Sequence, residues 1–183
     1  MHLESIQIQQ FEQDGILFFP GLLSSTEMAG LREDLPEILD LERPEILREK
    51  HSSRVRCAFA PHTYNERFHR LMHHPRIVEP VKQLLGGDIY LHQFSINPKA
   101  AFEGEAWGWH QDYPTWLEDN RILKPHLINV GVFLDEVTEF NGPLFFVKGS
   151  HKHGAFTTEL DEQSTSYKLL GVNHGKVASL CQQ

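Results

Sequence analysis

Between Trp107 and Trp116 the chain reads Trp-Gly-Trp-His-Gln-Asp-Tyr-Pro-Thr-Trp. Its chemistry is concentrated in His110 and Asp112, an imidazole and a carboxylate two positions apart. Side chains alternate along an extended strand, so both would leave one face while Trp109 and Gln111 leave the other. One histidine and one carboxylate are two of the three ligands in the 2-His-1-carboxylate arrangement, which holds non-haem Fe(II) and keeps positions open for oxygen chemistry. Such a site also needs a third ligand and a scaffold that aims all three at one point.

Composition narrows what that scaffold is. The 183 residues suffice for one domain with a sizeable core, and 40% apolar with 23% charged residues is an ordinary globular balance. Twelve histidines are the unusual feature. The formal charge of −8 disfavours nucleic acid and anionic membrane surfaces, so the expected partner is a small molecule or a protein. Cys57 and Cys181 are far apart and in no CxxC spacing, which suggests neither a disulfide framework nor a structural zinc site. No secretory signal pattern and no apolar run near the ~20 residues of a membrane span is present, so the expectation is a cytoplasmic chain with no membrane partner. GxGxxG, P-loop and GxSxG motifs are missing, which leaves nucleotide-binding and serine-hydrolase readings without support.

The elements follow from periodicity. Gly15 to Pro20 is a short apolar run closed by Pro20-Gly21, which predicts a buried strand ending in a turn. Ser24 and Glu27 fit a capping box, and Met28, Leu31, Leu35, Ile38 and Leu39 follow at helical spacing, with Pro36 expected to bend or end the helix. The charged span from Glu42 to Arg56 reads as exposed. Ile77, Val78, Val81, Leu84 and Leu85 predict a second helix stopped at Gly86-Gly87. Strands are expected over residues 88–97, 107–113, 126–135 and 143–147, with small and acidic residues looping ahead of Trp107 and a turn at Asn141-Gly142. Two helices followed by several strands point to a mainly β architecture with flanking helices. The domain organisation expected is a single unit, with residues 1–87 carrying the first strand and helices, 88–158 the β core and 159–183 a tail.

Three motifs carry a family resemblance: Trp-His-Gln-Asp-Tyr at 109–113, Asn141-Gly-Pro-Leu, and Gly149-Ser-His-Lys. They closely resemble the signature of the phytanoyl-CoA dioxygenase family, and Phe11-x-x-x-Gly15-x-Leu-x-Phe-Pro-Gly21 resembles its N-terminal stretch. The likeness spans residues 8 to 155. It implies a double-stranded β-helix of the jelly-roll type, with Fe(II) as cofactor, 2-oxoglutarate as co-substrate, and dioxygen and a small polar metabolite as partners. Gln93-x-x-Ile96-Asn97-x-Lys99, together with His110, Asp112 and Trp116, is most similar to the ectoine hydroxylase branch. That similarity implies His110 and Asp112 on iron, Asn97 on 2-oxoglutarate, and Gln93 and Trp116 facing the substrate. Asp112 further implies hydroxylation, because related halogenases carry a small residue at that place.

The same resemblance implies a distal third histidine and an arginine for the far carboxylate of 2-oxoglutarate, and no later motif matches either one. His151, His153 and His174 are the candidates left for the third ligand, and each reads more simply as a turn or loop residue. The expectation is therefore a domain truncated at its C-terminal side. The alternative to catalysis is a non-catalytic, dioxygenase-like binding or regulatory module, or a partial product. A cupin-like protein using other histidines is a third reading, and a homo-oligomer completing the barrel is left open. Trp107 and Trp109 are expected to pack in the core, Gln93 and Asn97 have a bland reading as partners of backbone groups, and His62, His69, His73 and His74 are expected to be solvated.

Overall fold

A computed structural model describes residues 1–101, 107–161 and 169–182. The chain forms two compact units: Met1–Glu4 with Phe18–Gly104 and Ile128–Pro143, and Ser5–Leu17 with Glu105–Leu127 and Leu144–Gln183. Helix and sheet are mixed, and among the described residues no helix is long and apolar enough to cross a membrane.

In the first unit α2 (Ser25–Asp40) starts where the capping box places it, with Ser24 Oγ accepting from the Glu27 N–H and the Glu27 carboxylate accepting from the Ser24 N–H. The helix runs through Pro36 instead of ending there. A proline inside a helix costs about 3 kcal/mol, whereas burying a large aliphatic side chain is worth about 1.5–3 kcal/mol. Leu31 and Ile38, on either side of Pro36, are both buried in the core, so packing outweighs the break. Next, α3 (Glu66–Met72) is capped by Asn65, and α4 (Pro75–Leu85) by His74, with Gly86 at φ +72° closing α4 in the left-handed conformation that glycine adopts freely.

The span expected to be exposed folds into a hairpin. Strands β1 (Ile46–Arg48) and β2 (Val55–Phe59) pair antiparallel, Ile46 opposite Ala58 and Leu47 opposite Cys57. Its charges are tolerable inside because they pair: Arg56 is 1% exposed and its Nη1 lies 3.2 Å from Glu49 Oε2. Strand β3 (Ser95–Ile96) adds to β2, and the ladder continues as the Ala60 N–H donates to the Phe94 carbonyl at 2.8 Å. Leu31, Ile38, Ile46, Val55, Ala58, Phe68, Leu71 and Ile96 form the core between helices and sheet.

In the second unit α1 (Ser5–Asp14) ends at Gly15, φ +76°, whose N–H donates to the Phe11 carbonyl. Gly15 is thus a helix cap, not the start of a buried strand, and Phe18 is exposed. The Gly149-Ser-His-Lys turn lies against this helix end. Gly149 N–H donates to Asp14 O at 2.9 Å, Lys148 Nζ pairs with Asp14 Oδ2 at 2.9 Å, and His151 Nε2 is 3.1 Å from Glu12 O. A Cβ on Gly15 would lie 2.3 Å from His151 Nδ1, so two distant sequence motifs fit each other only with glycine there. Helix α5 (Asp112–Asn120) packs on β5 (Leu169–Val172), which pairs antiparallel with β4 (Thr158–Asp161), and α6 (His174–Leu180) follows.

Several expected strands are absent as ladders. Of residues 88–97 only Ser95–Ile96 is strand, and residues 126–135 and 143–147 carry none, although Val130, Phe133, Leu144, Phe145 and Phe146 are apolar and exposed. Alternation supplies only one face of a strand; the ladder also needs a neighbour, and none is present for these segments among the described residues. Residues 102–106, the acidic part of the expected loop, lie outside the described residues.

Candidate metal centre

His110 and Asp112 come together, but not on a strand. His110 makes an isolated bridge to Gly171, with the Val172 N–H donating to the Trp109 carbonyl at 2.7 Å, while Asp112 is the first residue of α5. The chain turns from extended to helical at Gln111, whose φ of −117° and ψ of 136° are those of an N-cap. Asp-Tyr-Pro is a helix-start signal that the strand expectation missed: an acidic residue is favoured in the first turn, where proline gives up an N–H with no intrahelical partner. The same change of carrier puts Trp116 one turn on from Asp112, at the i, i+4 spacing that shares a helix face.

His110 Nδ1 lies 2.7 Å from the Gly108 carbonyl oxygen and donates to it, which leaves Nε2 as the lone-pair nitrogen. Nε2 faces Asp112 Oδ1 at 3.3 Å, with both side chains partly open to solvent. Two acceptors at that separation repel unless a proton or a cation lies between them. The proton is held more firmly than usual: the Asp112 carboxylate raises the His110 pKa above the ordinary imidazole value, burial opposes it, and the Gly108 carbonyl adds to it. A divalent cation would replace that proton, and two adjacent ligands ~2.1 Å from one metal lie about 3 Å apart, so the donor set fits two neighbouring positions on one ion. Among the described residues no third His, Cys, Asp or Glu joins them.

Gln111, which carried no role in the sequence, is held at both ends of its carboxamide. Its Nε2 donates to the Gly154 carbonyl at 2.9 Å, and its Oε1 accepts from the Phe156 N–H at 2.8 Å. Trp107 is not a core residue; it is 37% exposed and its ring lies 6.1 Å from that of His110. Trp109 is half-buried, 6.4 Å from the ring of Phe145. Gln93 and Asn97 belong to the first unit, both exposed, with Asn97 Nδ2 donating to Ser95 Oγ at 3.3 Å. His151 is occupied by the α1 lock and His174 opens α6.

Two histidines expected in solvent are structural. His62 stacks on Phe94 at 5.7 Å, and burial, with His69 and His73 nearby, lowers its pKa. His74 caps α4 and lies 3.1 Å from Glu27, which also binds Arg76 at 2.6 Å; the Ser24 N–H and the Arg76 guanidinium hold Glu27 well below the usual carboxylate range. No local pattern announces this cluster, because its members lie 47 and 49 residues apart.

The family model described as phytanoyl-CoA dioxygenase matches residues 11–177. L-proline trans-4-hydroxylase of Streptomyces griseoviridis is 39% identical over 145 residues, covering 79% of this chain and 54% of the relative. An ectoine dioxygenase of Halomonas elongata is 34% identical over 154 residues, covering 82% and 46%. The crystal structure of EctD from S. alaskensis with 2-oxoglutarate and 5-hydroxyectoine superimposes with a TM-score of 0.81 at 25% identity, covering 98% of this chain and 61% of that one. The chain thus spans about half the length of the curated relatives it matches. With the match running through the α1 end, the His110–Asp112 pair and the Gly149 turn alike, the chain belongs to the phytanoyl-CoA dioxygenase family.

Proposed function

We propose that this chain carries the iron-binding corner of a 2-oxoglutarate-dependent hydroxylase acting on a small polar metabolite. The observation that supports it most is the convergence of His110 Nε2 and Asp112 Oδ1 at 3.3 Å, with Nδ1 committed to Gly108. His110 and Asp112 hold Fe(II). When bound, Fe(II) supplies the oxidative chemistry in which dioxygen and 2-oxoglutarate yield succinate, carbon dioxide and a hydroxylated substrate. His110 serves through its neutral form, with the Gly108 carbonyl orienting the ring. Asp112 presents its carboxylate from the helix start, and Trp116 on the same helix face bounds the substrate side. Asn97 serves 2-oxoglutarate and Gln93 the substrate, a reading supported by the motif likeness to the ectoine branch. The fold is that of a double-stranded β-helix domain, as the likeness to the EctD structures supports.

The second reading, a non-catalytic dioxygenase-like binding module, is favoured by one observation: among the described residues the pair has no third ligand. One assay separates the two. Succinate is measured after mixing the chain with Fe(II), 2-oxoglutarate, oxygen and either L-proline or ectoine. Turnover that disappears in His110→Ala establishes the hydroxylase. No turnover above that variant, with His110-dependent metal binding retained, leaves the binding module.

A further inference from the structure

From the contacts of Gln111 we infer that it is the positioning residue of the metal corner: its carboxamide ties the corner to the backbone at Gly154 and Phe156 and fixes His110 relative to Asp112. This inference rests on the proposed iron site. The backbone at Trp109–His110 is held on one edge by β5, through the Val172 N–H to Trp109 O bond and the bridge to Gly171. Among the described residues no ladder forms on the other edge. The Gln111 side chain donates to Gly154 O and accepts from Phe156 N–H, the pair of bonds that a main-chain neighbour would make with that segment.

Position matters here because Gln111 is the hinge between extended and helical backbone. It is the N-cap of α5, yet its side chain makes no capping bond. A rotation about its φ or ψ would swing Asp112 and all of α5 away from His110. Two hydrogen bonds to segments 43 and 45 residues away resist that rotation. Glutamate cannot replace it fully: a carboxylate accepts from Phe156 but has no hydrogen to give the Gly154 carbonyl. Methionine matches the length and volume and makes neither bond.

The test uses Co(II) as a redox-stable probe on the wild-type chain, Gln111→Met and Gln111→Glu, with His110→Ala as control. Titration followed by the Co(II) visible absorption reports affinity and ligand geometry. The expected result is affinity roughly 10- to 100-fold weaker in Gln111→Met, a smaller loss in Gln111→Glu, and an altered visible band in both. Wild-type affinity and spectrum in Gln111→Met would overturn the inference. Amide exchange of the metal-free chain gives a separate arm. Faster exchange at both Phe156 and Val172 in the variant supports positioning across the corner, whereas faster exchange at Phe156 alone reduces Gln111 to a local backbone partner. Should wild type show no His110-dependent Co(II) binding, the iron site itself falls, and the exchange arm decides the role of Gln111. Should Gln111→Met fail to fold, Gln111→Glu carries both arms.

Discussion

Arg56 and Glu49 in the first unit, and His110 and Asp112 in the second, are both cation–carboxylate pairs by residue type, with contacts of 3.2 and 3.3 Å. They differ in what surrounds them. The first pair is almost wholly buried, within a hairpin that contributes Ile46, Val55 and Ala58 to a closed apolar core. The second is partly open, beside an exposed tryptophan, with Nδ1 committed to the Gly108 carbonyl and Nε2 facing the carboxylate, where a proton bridges the two. A guanidinium keeps its hydrogens and so makes a permanent donor-to-acceptor pair, whereas an imidazole nitrogen can give its proton up to a cation. The contrast separates structure from chemistry better than residue type does.

The largest effect should come from breaking the sealed pair. Arg56→Leu leaves the Glu49 carboxylate buried without this partner, and urea unfolding should report a loss of about 3–5 kcal/mol. If the stability hardly changes, the contrast is wrong at its root. His110→Ala should do the reverse: Co(II) affinity falls by about 100-fold or more, on the order of 2.7 kcal/mol, while the urea midpoint moves little. A large stability loss in that variant would mean that the open pair is structural after all.

Smaller effects sharpen the picture of the first unit. Ser24→Ala removes the α2 cap and should cost about 1 kcal/mol by thermal unfolding. Glu27 has a folded pKa lowered by the Ser24 N–H and Arg76, so its contribution is complete above the unfolded carboxylate value near ~4.3 and fades as pH falls toward the folded value. Acid titration of unfolding should therefore show a steeper decline below that pH in wild type than in Glu27→Gln. The smallest effect is on reactivity alone. Cys57 is buried, its thiol pushed up to about 11, whereas Cys181 is exposed. Thiol labelling at pH 8 should give one fast cysteine in the native chain and two after denaturation.

Local signals were legible and long-range ones were not. Ser24 with Glu27, and Gly86 after an apolar periodicity, announce helix ends because cap and helix are neighbours in sequence. The β1–β2 hairpin stayed hidden because Arg48, Glu49, Arg54 and Arg56 read as a solvated face until Arg56 and Glu49 are seen to neutralise each other. At the candidate site, the meeting of His110 and Asp112 was readable but their carrier was not. A two-residue spacing suits a strand, while the helix start was signalled only by Asp112 itself and the proline two positions later. The clamp of Gln111 on Gly154 and Phe156 leaves no trace in a local window.

The lock between the end of α1 and the Gly149-Ser-His-Lys turn also sets an order of events during synthesis. Glu12 and Asp14 meet partners 139 and 134 residues later. At the ~5–20 residues per second of translation, α1 waits roughly 7–28 s for its dock to be synthesised. Loop closure across that separation comes late and slowly, after the local helices and the β1–β2 hairpin have had time to form. Gly15 and His151, silent in the chemistry, thus join one helix end to a segment made long after it.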